Sequence, residues 1–300
     1  MGMWFKNLHV FRLRSSADLA METIEEQLAK MPLQPCSSAL PLSLGWVAPR
    51  SEGVLLHAVN RQWLIALGIE QKLLPSSVVK QHVKDQARLI EEKEGRRVGR
   101  RELRELQEMA IQQLLPRAFV RRRTTSCWID PVNHWLVIDA AAPAKADELL
   151  ELLHKTVDGL SIAPLKVLQS PLSAMTGWVA EGAAPAGFTI DQDMELRSSE
   201  NAIVRYAKHP LDGEEIPKHI AAGKMVTRLG MTWGDKISFV LDDKLQIKRL
   251  SFLDILKESS DGQAENEDER FDLDFALMSG ELARLLDDLV EALGGELPAA

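Results

Sequence analysis

The chain has 300 residues, 45% of them hydrophobic and 27% charged, which is enough for a buried core and for two or three domains, so a peptide, a tail or a disordered chain is excluded. Lys and Arg number 36 against 44 Asp and Glu, and the net charge of −8 excludes a uniformly basic protein that coats polyanions. A ligand feels local patches rather than the average, so the charge has to be read segment by segment.

Cys36 and Cys127 have neither the number nor the spacing of a disulfide framework or a zinc site, and both read as small buried side chains of a reducing compartment. The start, Met1-Gly2-Met3-Trp4-Phe5-Lys6, has no basic segment followed by an apolar one, and no apolar run reaches about 18 residues. The chain is expected to be neither exported nor membrane-spanning. Lys6 stands where a myristoylation motif needs Ser or Thr.

In chain order, residues 4–13 alternate as a strand and 18–30 space Leu19, Ile24 and Leu28 as a helix. After the turn residues Pro32, Pro35, Pro41 and Gly45, short runs at 44–48, 53–59 and 62–69 read as antiparallel strands. From Ser76 to Leu115 apolar residues recur at helical intervals, and Gly95 and Gly99 bracket a turn, which predicts a helical hairpin closed by Pro116. Strands are predicted at 117–129, 135–140 and 162–168, with a helix from Pro143 to about Val157 between the last two. Ser170 and Pro171 open a helix to about Ala180. Strands follow at 188–197, 201–206, 224–231, 236–241 and 245–250, and Asp212 to Glu215 has capping-box spacing before a helix over 216–221. Residues 258–270, with six carboxylates and almost nothing apolar, predict a solvated loop, and a last helix is predicted from a Ser279 cap through Leu293. The fold class is α+β: antiparallel sheets with packed helices and a protruding helical hairpin. The expected division is a central α+β domain of two similar halves (1–75 and 117–168), a hairpin tip (76–116) and a base α+β domain (169–300).

Catalytic patterns are missing. Gly223-Lys224 lacks the upstream Gly and the following Ser or Thr of a phosphate-cradling loop, and no two of the seven His lie three or four residues apart. Ser126 beside Cys127 has no nucleophile-elbow context. The pairs Asp191 and Asp193, Asp242 and Asp243, and Asp272 and Asp274 read as turn or solvated strand positions, with a metal-dependent nuclease using the second or third pair as the rival. No catalytic residue, metal or cofactor is expected.

Charge is informative. Residues 72–123 hold 14 Lys or Arg against 7 Asp or Glu, a net of +7, which leaves −15 for the remaining residues. Arg96, Arg97, Arg100, Arg101 and Arg104 crowd the hairpin turn, and Arg117, Arg121, Arg122 and Arg123 crowd its exit. Arg101/Glu105 and Arg104/Glu108 have the spacing of helix ion pairs that would make the helix body a solvated face. The turn and the Arg121–Arg123 run have too few local acids for neutralisation, which favours anion binding there. Phe119, apolar between Arg117 and Arg121, reads as core or as an interface contact at the foot of the hairpin.

Several segments together resemble the RdgC family of bacterial recombination-associated proteins: Met3-Trp4-Phe5-Lys6-Asn7-Leu8, Leu73-Leu74-Pro75-Ser76-Ser77-Val78-Val79, Leu114-Leu115-Pro116-Arg117-Ala118-Phe119, Trp128-Ile129-Asp130, the stretch 216–227 with His219-Ile220-Ala221-Ala222-Gly223-Lys224, and residues 271–282. The resemblance implies a non-enzymatic, largely sequence-independent DNA-binding protein. Its horseshoe-shaped subunits would pair as a homodimer into a ring around duplex DNA, with single-stranded DNA left open, and would limit access of the RecA recombinase. It further implies that Phe119 lies at the ring's gate, that Lys208 and Lys224 face DNA, and that the protein is cytoplasmic and nucleoid-associated. A third reading is a protein-interaction adaptor whose charged hairpin docks an acidic partner.

Overall fold

A computed structural model describes residues 3–14, 20–37, 40–50, 53–253, 264 and 266–298. The strands are β1 (Leu8–Leu13), β2 (Leu42–Val47), β3 (Leu56–Val59), β4 (Gln62–Leu73), β5 (Phe119–Asp130), β6 (Trp135–Asp139), β7 (Ile162–Pro164), β8 (Phe188–Arg197), β9 (Ile203–Tyr206), β10 (Met225–Trp233), β11 (Ile237–Asp242) and β12 (Ile247–Phe252). The helices are α1 (Met21–Leu28), α2 (Ser76–Glu94), α3 (Arg100–Leu114), α4 (Pro143–Thr156), α5 (Pro171–Glu181), α6 (Glu215–Ala221) and α7 (Glu267–Ala292). All strands join one antiparallel sheet in the order β2-β4-β5-β6-β1-β12-β11-β10-β8-β9, with β3 paired to β4 and β7 to β1. The fold is α+β.

The run Trp63-Leu64-Ile65-Ala66-Leu67 of β4 is buried on both faces. Odd positions, with Cys127 and Ile129 of β5, pack under α1 and α4. Leu64 and Trp128 point the other way, into a core shared with Phe275, Met278 and Leu282 of α7. A strand covered on both sides loses its polar alternation, which is why β4 reads as a continuous apolar run.

α7 holds the two halves of the sheet together. Its 26 residues span about 39 Å at 1.5 Å per residue. Near its start Asp272 accepts from Arg50 and contacts His57 of β3; near its end Asp288 accepts from Trp233 Nε1 of β10 at 2.7 Å. The expected loop over 258–270 is overturned at 267–270, and its remainder lies largely outside the described residues. Asn266 accepts from the Glu269 N–H as the cap, and Glu267, Asp268 and Glu269 suit the positive end of a helix, so the acidic stretch initiates α7. Ser279 is accordingly mid-helix and buried, not a cap.

α2 and α3 extend the β4–β5 hairpin, whose last ladder pair is Leu73 and Phe119. The two helices bury little beyond Val79 and Ala110, so they stand out from the body. Gly95, at φ 67°, ends α2 in the left-handed conformation that a Cβ disfavours. Three smaller expectations also change. The capping box before α6 does not form, since the N-cap is Glu214 without a side-chain bond. The strand at 162–168 shortens to Ile162–Pro164. Cys36 is only half-buried, its N–H donating to Glu70 of β4. No helix among the described residues is long and apolar enough to cross a membrane.

Candidate nucleic-acid interface

At the hairpin turn the arginines divide. Arg96 donates to both carboxylate oxygens of Glu102, at 2.8 and 2.9 Å, and pairs with Glu94 at 2.7 Å. Glu102 is held below the usual carboxylate range by that guanidinium, whose own pKa is raised in return. Val98 N–H donates to Glu91, so Arg96 and Glu91 brace the turn from both sides. Arg101 pairs with Glu105, whereas Arg104 and Glu108 do not pair. Arg97, Arg100 and Arg104 are exposed, and no carboxylate among the described residues lies within ion-pair distance of them.

At the foot, the Arg121–Arg123 run is not one patch. Strand alternation places Arg121 and Arg123 on the α4 side and Arg122 on the α7 side. Arg122 Nε donates to Glu70 at 2.7 Å, Arg123 pairs with Glu148 of α4 at 2.6 Å, and Arg121 donates to Gln71 at 3.0 Å. The expectation that this run lacks acids is therefore overturned for Arg122 and Arg123, as it is for Arg96. Glu70 and Glu148 are distant in sequence and arrive through strand pairing and helix packing. Arg117 is exposed, without a carboxylate partner among the described residues. Phe119 is 84% exposed beside Leu73 and Val120, so it is a surface residue and not core.

In the second half of the sheet, α5, α6 and α7 bury their apolar side chains against one face. The opposite face carries cations that the linear sequence does not mark. Glu195 of β8 is 3% exposed and is surrounded by Arg205 at 2.7 Å, Arg197 at 3.3 Å and Arg228 at 3.7 Å, with Thr227 Oγ1 donating at 3.1 Å. Burial works to raise the Glu195 pKa, but these donors together hold it below the ordinary value. Beside it, Arg205, Tyr206, Arg228, Lys248, Arg249 and Asn7 line a cleft of about 330 Å³. Arg249 pairs with Asp193 at 3.5 Å and Lys248 with Asp242 at 3.2 Å. Lys208 is exposed at one end, its N–H donating to Asp193. Lys224, half-buried one residue before the Met225 and Arg197 pair, does not line the cleft: its Nζ lies 3.1 Å from Nδ1 of His219 in α6. The cations come from β8, β9, β10 and β12, which interleave them with acids, so no basic run appears in sequence.

A family model described as "Putative exonuclease, RdgC" matches residues 3–296. The chain belongs to the RdgC family. Among RdgC relatives, a protein of Dechloromonas aromatica (strain RCB) named "Recombination-associated protein RdgC" is 51% identical over 303 residues, covering 99% of this chain and 100% of its own. Proteins of the same name from Herminiimonas arsenicoxydans and Cupriavidus pinatubonensis are each 52% identical, over 296 and 299 residues, covering 98% and 99% of this chain and 99% and 100% of theirs.

The carboxylates of the nuclease rival sit apart in this RdgC fold. Asp272 and Asp274, expected in a turn or strand, lie on α7, where residues two apart do not share a face. Asp272 is engaged by Arg50 and His57, and Asp274 is buried. Asp242 accepts from the N–H groups of Lys244 and Gln246 besides pairing with Lys248, while Asp243 is exposed. Among the described residues no three His, Cys, Asp or Glu side chains converge as metal ligands.

Proposed function

We propose that this RdgC-family protein is a DNA-binding protein that neutralises phosphates without reading bases, works as a homodimeric ring of horseshoe-shaped subunits around duplex DNA, and modulates recombination by occupying DNA that the RecA recombinase would use. The observation that supports this most is the face of the second sheet half opposite its helices, where Arg205, Arg228, Lys248 and Arg249 line an open cleft and Lys208 is exposed beside Asp193. Arg97, Arg100, Arg104 and Arg117 add cations free of ion pairs on and below the hairpin. Guanidinium groups on a sheet face suit phosphate contacts, which position a protein without specifying sequence. The reading is of a binder and not of an enzyme, located in the cytoplasm with the nucleoid.

The test is duplex binding across a salt series, with linear and covalently closed circular DNA of one sequence. Log affinity should fall linearly with log salt, and closed circles should retain the protein at salt that releases it from short linear duplex. A strongly preferred operator or salt-independent binding would sink the DNA reading, and equal release from circles and linear duplex would sink the ring. Labelled DNA incubated with Mg²⁺ or Mn²⁺ checks the exonuclease description of the family, since turnover abolished by Asp→Asn exchange at 272 or 242 would overturn the non-enzymatic reading.

A further inference from the structure

The cleft beside Glu195 is built by irregular backbone. On β10, Val226 faces Leu196 and Arg228 faces Glu195, so Thr227 is an inserted residue and both Thr227 and Arg228 oppose Glu195. Regular alternation would send Arg228 to the core side with Val226; the bulge sends it to the carboxylate. On β12, Ser251 faces Ser238 and Lys248 faces Val240, so Arg249 and Leu250 together oppose Phe239. Arg249 takes φ 52°, and Lys208 takes the same value. Both are non-glycine residues in the left-handed region, and both are tied to Asp193, Lys208 by its N–H and Arg249 by its guanidinium. Such local strain persists where the surroundings enforce it and is concentrated at functional sites.

Two bulges and two left-handed residues thus place cations around one opening, with Glu195 beneath them. Five cations (Arg197, Arg205, Arg228, Lys248, Arg249) face three carboxylates (Asp193, Glu195, Asp242), which leaves an excess of two positive charges. Arg205 is hydrogen-bonded to Glu195 through Nε, and Arg228 lies in ion-pair contact with the same carboxylate at 3.7 Å; at 65% and 46% exposure each keeps free N–H donors toward the opening.

We infer that this cleft is a seat for one backbone phosphate of DNA, in which Arg205 and Arg228 bind the phosphate oxygens and Glu195 is the positioning residue that fixes both forks. The inference rests on the DNA-binding reading and deepens it. Its mark is a sign. Glu195→Gln makes the protein more positive, so if the arginines acted only as diffuse charge, duplex affinity would rise or stay level. If Glu195 positions them, affinity falls, by about tenfold, the equivalent of one charge-assisted hydrogen bond.

The experiment measures duplex affinity at fixed salt for the full-length protein, Glu195→Gln and Arg228→Lys, with the thermal shift given by inorganic phosphate against chloride at equal ionic strength. Arg228→Lys keeps the charge and loses the fork, and it decides the matter if Glu195→Gln does not fold. Expected are weaker duplex binding by both variants and a phosphate-specific shift in the wild type that Arg228→Lys loses. Duplex affinity unchanged or raised in the folded variants overturns the seat and leaves the DNA reading standing. A phosphate shift without duplex binding in the wild type overturns the DNA reading and keeps an anion seat; neither effect removes both.

Discussion

Arg122 and Arg123 are neighbours in sequence and strangers in space: one reaches Glu70 on the α7 side, the other Glu148 on the α4 side. The period of two was already implied by the strand expected at 117–129, so the split was legible; the acids that neutralise the two were not, because they come from β4 and α4. Burial of single titratable groups also sets a pH dependence. His9 and His57 are buried and both have lowered pKa values, first through loss of hydration, then through Lys248 and Arg50 respectively. A group depressed in the folded state contributes stability that is full above its unfolded pKa, about 6.5, and is lost as pH falls through the folded value. Asp139, Asp191 and Asp287, raised chiefly by burial, act with the opposite sign, so the histidine share is a difference between variants. The thermal midpoint should drop less between about pH 7 and pH 5.5 in the His9→Gln, His57→Gln double variant than in the wild type. Parallel curves would assign the acid loss to other groups.

Among the elements, the hairpin gives a test that separates paired from unpaired cations. Replacing Arg97, Arg100 and Arg104 together with Ala should lower the slope of log affinity against log salt by up to about 3, one unit for each lost phosphate contact. Replacing Arg96 and Arg101, already engaged by Glu94, Glu102 and Glu105, should change it by less. Equal effects of the two sets would mean that DNA breaks these ion pairs on binding. The hairpin's limits were legible because Gly95 and Gly99 punctuate an otherwise helical pattern. The start of α7 was not, because the carboxylates that favour a helix N-terminus have the composition of a solvated loop. The cationic sheet face was hidden for a different reason: Arg205, Arg228 and Lys248 lie on three strands, and the bulge that turns Arg228 outward leaves no mark in the alternation. α7 carries the other element-scale prediction. Phe275 is fully buried in the core that α7 shares with the sheet, and Phe275→Ala should cost about 3–5 kcal/mol. Because α7 touches both halves, tryptophan emission and far-ultraviolet circular dichroism should report one shared denaturation midpoint; separate midpoints would mean that the halves unfold independently.

For the whole molecule, the net charge of −8 is distributed and not diluted: the 72–123 segment carries +7 while one face of an acidic body gathers Arg205, Arg228, Lys248 and Arg249. Such a field can draw a polyanion to chosen surfaces and repel it elsewhere. In the proposed ring, enclosure needs a second subunit, and we propose Phe119 as the residue that recruits it. It is 84% exposed, it closes the β4–β5 ladder against Leu73, and Val120 follows it. A two-fold contact uses the same patch on both copies, so each Phe119 substitution acts twice. Fully burying one such ring contributes roughly 1.5–3 kcal/mol, and tenfold in dissociation constant corresponds to about 1.4 kcal/mol. With two rings lost, Phe119→Ala should therefore weaken self-association by about a hundredfold or more in sedimentation equilibrium. It should also shorten retention on closed circular DNA while leaving binding to short linear duplex nearly unchanged, because the cations of the cleft and the hairpin remain. Unaltered association together with unaltered retention on circles would remove Phe119 from the subunit contact.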